Sequence, residues 1–154
     1  MLHRRQFLSG LAVSSLGHKA FAGANSRSIL NQLKTLDANI LLMRHALAPG
    51  FGDPDAFDVT QCSTQRNLDS QGRAQAIAIG EKFKKSGVTF DTVFSSQWCR
   101  CIETAELLKM GPVQEFVGLN SFFQRYAKRD ETLQKLKQKL SSLDPDGLYL
   151  MVTH

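Results

Sequence analysis

Along this chain short apolar runs alternate with stretches in which apolar residues recur every three or four positions. These are the periods of buried strands and of helices packed on one face. The first run, Ile40-Leu41-Leu42-Met43, is too short for a helix of its own. It predicts a strand buried on both faces, ending at Arg44-His45. Ahead of it Ile29, Leu30, Leu33 and Leu36 have helical spacing and predict a short leading helix lying on the sheet. After it, two prolines, two glycines and three aspartates between Ala48 and Asp58 predict a loop.

Asp69 or Ser70 can cap the next helix, which runs through Arg73, Ala74, Ile77, Ala78 and Phe83 to about Ser86, with Gly87 at C′. A strand follows at Asp91–Ser95, then a helix from about Gln97 to Lys109 with Ile102, Ala105 and Leu108 on one face, stopped by Gly111-Pro112. Val113–Val117 predicts a third strand and 119–129 an irregular aromatic stretch. Asp130 is expected to cap an amphipathic helix that buries Leu133, Leu136, Leu140 and Leu143 and leaves Lys135, Lys137 and Lys139 on a solvated face. A turn over Asp144-Pro145-Asp146-Gly147 leads to a last strand, Leu148–Thr153, and to His154. Strands alternating with helices argue for a largely parallel α/β sheet covered on both faces.

The N-terminus changes how the charge is read. Arg4-Arg5-Gln6-Phe7-Leu8, a weakly apolar centre at 11–13 and Ala20-Phe21-Ala22 are the three parts of an export signal of the twin-arginine type. Residues 1–22 are therefore expected to be removed by the twin-arginine export machinery, delivering a domain of residues 23–154 to the periplasm. Removal takes away Arg4, Arg5 and Lys19 and no acid, so the formal charge of +5 falls to +2. That gives no reason to expect a nucleic-acid partner, or stable membrane association after cleavage. It also leaves two histidines, His45 and His154.

Cys62, Cys99 and Cys101 allow one disulfide in an oxidising compartment, Cys62 pairing with either of the others. No Cys-x-x-Cys pair occurs, which argues against a metal site. The residues six after the cysteines are Leu68, Ala105 and Leu107, which excludes a cysteine nucleophile that needs arginine there.

Three strands end in reactive or anion-binding residues: Arg44-His45, Ser95-Ser96 with Arg100 close behind, and Thr153-His154. In an open α/β sheet ligands meet the carboxyl ends of the strands. Guanidinium forks match phosphate oxygens, and the start of the helix carrying Arg100 favours an anion. Leu42-Met43-Arg44-His45-Ala46 resembles the signature of the histidine phosphatase superfamily. Arg66-Asn67-Leu68 with Gly72 and Gln75-Ala76, Ser95 through Arg100 to Thr104-Ala105, and Val152-Thr153-His154 resemble three further segments of its first branch.

The resemblance implies a three-layer phosphoglycerate-mutase-like fold and a metal-independent, cofactor-free phosphatase. His45 would be the nucleophile forming a phosphohistidine, with Arg44, Arg100 and His154 binding the phosphoryl group. The substrate would be a phosphorylated small molecule or phosphoprotein, a monoester or phosphoramidate, with mutase action disfavoured by the short segment between Arg100 and His154.

Two departures from the family pattern bear on this expectation. Leu119-Asn120-Ser121 stands where the family usually carries a glutamate as general acid, so Asp53, Asp55, Asp58 or Glu131 is expected to donate the proton, or the leaving group needs none. Family members also continue past the second histidine, so the chain is expected to be truncated and to lack C-terminal elements of the fold, with a terminal carboxylate that weakens anion binding. A non-catalytic phosphate-binding or interaction protein is the competing expectation.

Overall fold

The computed structural model describes residues 29–154; the predicted signal at 1–22 lies outside them. Four strands form one parallel sheet in the order β1 (Ile40–Arg44), β4 (Tyr149–Thr153), β2 (Thr92–Ser95), β3 (Val113–Glu115). The helices are α1 (Ile29–Thr35), α2 (Ser70–Lys85), α3 (Cys99–Leu108) and α4 (Arg129–Ser142). Alternation along the strands separates two cores. On one face Leu41, Met43, Val93, Leu150 and Val152 meet Leu33 of α1, Phe83 of α2, and Ala105 and Leu108 of α3. On the other, Ile40, Phe94, Tyr149 and Met151 meet Leu119, Leu136 and Leu143. The expected three-layer α/β arrangement is the one observed.

Several expectations need correction. Among the described residues β1 is an edge strand, not one buried on both faces, and Leu42 is 59% exposed. Leu36 falls after the end of α1 and is exposed. Ile102 is only partly buried; the inward face of α3 is Arg100, Cys101, Thr104, Ala105 and Leu108. β3 stops at Glu115 and gives way to a 3-10 turn over Val117–Leu119. Lys128, not Asp130, is the N-cap of α4, and Asp130 sits in the first turn, where the helix dipole favours a carboxylate. Of the leucines in that helix pattern, Leu133 and Leu140 stay exposed, while Lys139 is half-buried, its Nζ over the Phe94 and Phe116 rings at 5.2 and 5.4 Å.

α2 does what its small residues require. The Asp69 carboxylate accepts from Gly72 N–H at 2.7 Å, and Gly87, with φ of +70°, ends the helix. Its buried stripe is Gly72, Ala76, Gly80 and Phe83. A Cβ on Gly72 would lie 1.9 Å from Leu47 O, and one on Gly80 2.2 Å from Leu108 O. These glycines let α2 press against α3 and against the loop that leaves β1.

Cys62 pairs with Cys99. Cys99 and Cys101 are about 200° apart around α3, so one faces the loop and the other, Cys101, is buried as a free thiol. Because the bridge closes a separation of 37 residues, Cys62→Ser should lower stability by about 4 kcal/mol in denaturant unfolding, and reductant should do the same to the parent chain only. Unchanged unfolding midpoints would show that the bridge does not form.

Candidate active site

Because every strand is parallel, the carboxyl ends of β1, β4 and β2 lie side by side. Arg44 pairs with Thr153 and Ser95 with Val152 in register, so the next residues, His45, His154 and Ser96, meet at one edge. His45 N–H donates to Thr153 O at 2.9 Å, and Ser96 N–H to Val152 O at 2.9 Å. The turn after His45 is clamped from the helices: Thr104 Oγ accepts from Ala46 N–H at 3.0 Å, and the Gln75 amide oxygen from Leu47 N–H at 2.8 Å. This is the physical role of the Gln75-Ala76 and Thr104-Ala105 pairs singled out in the sequence.

A cavity of about 310 Å³ opens there, lined by Arg44, His45, Asp53, Arg66, Arg100 and His154 and flanked by Gly50, Phe51, Gly52, Ser121 and Phe123. All four residues expected from the sequence line it. A larger groove of about 710 Å³, at the amino ends of β1 and β4, is lined by residues such as Leu33, Asn39, Pro145 and Leu148 and gathers no comparable chemistry.

His45 is buried, with Nδ1 2.7 Å from the carbonyl oxygen of Ala46. A carbonyl only accepts, so Nδ1 carries the proton and Nε2 carries the lone pair. Nε2 has no hydrogen-bond partner. Burial, together with the charges of Arg100, Arg44 and Arg66, pushes the pKa of His45 down to about 4. The ring is therefore neutral at pH 7, with its free lone pair facing an electropositive cavity.

His154 is held differently. An Arg100 Nη atom donates to its Nδ1 at 3.2 Å, which leaves Nε2–H to donate to Ser96 Oγ at 2.9 Å. Ser96 in turn donates to the Asn120 amide oxygen at 3.2 Å. Burial and the Arg100 charge lower the pKa of His154 to about 3. The two imidazole centroids are 5.7 Å apart.

Arg100 is almost fully buried and its fork is occupied by Asp53, with contacts of 2.7 and 3.1 Å from its two terminal nitrogens. Its Nε has no partner. Asp53 also accepts from Arg66 N–H at 3.0 Å and Trp98 Nε1–H at 3.0 Å. Burial alone would raise its pKa, but the Arg100 and Arg66 hydrogen bonds outweigh it and hold the carboxyl below its ordinary range.

Asp53 is thus an ionised anchor, not a proton donor. Asp58 bonds to Thr60 and Gln61, and Glu131 pairs with Lys128 at 2.8 Å, both away from the cavity; Asp55 does not line it either. None of the four expected acids fits that role.

In the sequence Arg66 stands out only as part of the segment with Asn67, Leu68, Gly72 and Gln75-Ala76. Its Nε donates to Gly52 O at 2.8 Å and a terminal nitrogen donates to Ala48 O, which fixes its guanidinium on the cavity wall. Counting side chains, three guanidiniums against one carboxylate leave two positive charges, which match the two negative charges of a phosphate dianion.

These assignments predict imidazole titrations far below the usual 6.5, near 4 for His45 and near 3 for His154, with His45 in the Nδ1–H tautomer. Nitrogen-15 NMR reads both. The unfolded chain takes up these protons first, so stability should fall as pH drops from about 6.5 toward 4. Midpoints at 6 or above would refute the buried, neutral site.

Residues 40–123 match the model of the histidine phosphatase superfamily (branch 1). Over 71 residues the chain is 31% identical to a 2,3-bisphosphoglycerate-dependent phosphoglycerate mutase of Staphylococcus haemolyticus, a stretch that is 46% of this chain and 31% of that protein. The fold is similar to that of a protein assigned as phosphohistidine phosphatase SixA from Nakamurella multipartitia (TM-score 0.54, 20% identity, 75% of this chain and 58% of that one). It is also similar to one assigned as an α-ribazole-5′-P phosphatase from Escherichia coli (TM-score 0.56, 20% identity, 75% of this chain and 72% of that one). The chain thus spans about a third of the curated relative's length and 58% of the first of these structures.

Proposed function

The chain belongs to branch 1 of the histidine phosphatase superfamily, and we propose that it hydrolyses phosphate monoesters or phosphoramidates through a phosphohistidine on His45. The observation that carries this reading is the orphaned Nε2 of His45, a buried, unprotonated nitrogen beside three arginines. The Nε2 lone pair forms the P–N bond as the bond to the leaving group breaks, its electron pair departing with that group. Water then attacks phosphorus, the P–N bond breaks, and phosphate leaves.

Arg44, exposed at the site, and the free Nε of Arg100 are the donors available to phosphoryl oxygens, with Arg66 beside them. Both ring nitrogens of His154 are committed, so it acts first by holding Arg100 in place. The Cys62–Cys99 disulfide supports the exported, periplasmic location that the N-terminal pattern predicts.

Release of inorganic phosphate from 4-nitrophenyl phosphate and from a phosphoramidate tests the reading. Sustained multiple turnover is the expected result. No release from either substrate by the full chain would remove the hydrolase assignment.

A further inference from the structure

The cavity lining combines buried charge with exposed aromatic surface. All three of its arginines lie close enough to His45 to depress its pKa, whereas the residues flanking them, Gly50, Phe51, Gly52, Ser121 and Phe123, carry no charge. Phe51 is 89% exposed and Phe123 52%, and their rings meet edge to face with centroids 5.3 Å apart. A single exposed phenylalanine needs no explanation, but this pair is held in place by a dedicated structure.

Gly50 and Gly52, on either side of Phe51, have φ of +94° and +69°. A Cβ on Gly52 would come 2.5 Å from the Gln124 side-chain oxygen. That amide bridges the two loops: its oxygen accepts from Asp53 N–H at 2.8 Å, and its nitrogen donates to Asp53 O at 3.3 Å. Tyr126 Oη adds a bond to Pro54 O at 3.0 Å. Gln124 and Arg125 both adopt a left-handed backbone, φ +56° and +62°, which non-glycine residues rarely take and which concentrates at functional sites. Asp53, whose backbone receives this bridge, is the residue whose carboxylate grips Arg100. The aromatic wall and the phosphoryl site are therefore one connected unit.

A second observation concerns the leaving group. Among the described residues lining the cavity, Asp53 carries the only carboxyl side chain, and it is held ionised. A leaving group that departs without a proton must be intrinsically stable as an anion, as an aromatic alcohol is and an alkyl alcohol is not.

Resting on the phosphatase reading above, we infer that the substrate is a monophosphate whose leaving group is an aromatic ring seated against Phe51 and Phe123. Calorimetric titration of the full chain with benzylphosphonate and methylphosphonate, which share a non-hydrolysable head group, tests this without needing turnover. Benzylphosphonate should bind roughly tenfold more tightly. The double variant Phe51→Ala/Phe123→Ala should bring the ratio of the two affinities to about one, and Phe51→Tyr/Phe123→Tyr, which keeps both rings, should preserve it. Equal affinities in the parent chain, or an advantage that survives the alanine variant, would overturn the inference and leave the phosphatase reading standing. If neither phosphonate binds, the phosphoryl site itself is wrong and the inference falls with it.

Discussion

His45→Ala should lower kcat for an aryl phosphate by at least about 10⁴-fold, the scale on which loss of a nucleophile acts in a preorganised site. The ring nitrogen proposed to attack makes no bond to the protein, and the other bonds only to the neighbouring carbonyl of Ala46. The backbone bond from His45 N–H to Thr153 O survives the change, as do the clamps from Thr104 and Gln75. The loss should therefore be one of chemistry, with the thermal transition shifted little. Steady-state kinetics beside a melting curve checks both. A drop smaller than tenfold in a folded variant would mean that another group attacks phosphorus.

Asp53→Asn should be the most damaging substitution that removes no group from phosphorus. The Asp53 and Arg100 side chains are each only 4% exposed, and the pair is the only ion pair so deeply buried among the described residues. Removing one partner leaves a buried guanidinium uncompensated, at a cost of about 3–5 kcal/mol. It also replaces one acceptor oxygen with an NH2 donor, so either Trp98 Nε1–H or the Arg66 N–H, which bond different oxygens of Asp53, loses its acceptor. Chemical unfolding should show that loss, and kcat/KM should fall with it as Arg100 loses its fixed orientation.

The pH dependence separates this role from that of a general acid. The depressed carboxyl pKa gives the parent chain stability that is present above about pH 4 and lost as pH falls, and the variant should lack this component. If Asp53 instead donated a proton, the variant would lose the alkaline limb of the kcat profile and keep its stability. That outcome would contradict the anchor role.

The attacking half of the site was legible because it depends on local pattern and one topological rule. A short apolar run that stops at Arg44-His45, another that stops at Thr153-His154, and helices between them imply a parallel sheet, and a parallel sheet brings strand ends together. The anchoring half was not legible. Asp53 lies 47 residues before Arg100 in a loop with three aspartates, and only folding shows which of them reaches the buried guanidinium. Arg66 read as a motif residue because nothing in its neighbourhood says that its side chain turns back toward the β1 loop. Hydrophobicity also cannot tell an edge strand from a central one: Ile40–Met43 is as apolar as the buried β4, yet Leu42 is largely exposed. Helix geometry resolves the cysteines, since residues two apart on α3 face opposite ways. The sequence spacing alone admitted either pairing.

The intermediate proposed above is a phosphoryl group held on His45 Nε2 between two steps. It is tested most directly by mixing the full chain with an aryl phosphate, quenching in alkali within the first turnover, and locating the bound phosphoryl group by mass spectrometry and phosphorus-31 NMR. The expected result is a single acid-labile phosphoryl group on Nε2 of His45, absent from His45→Ala. Turnover without any such adduct, or an acid-stable phosphate on Ser96 or Ser121, would contradict it.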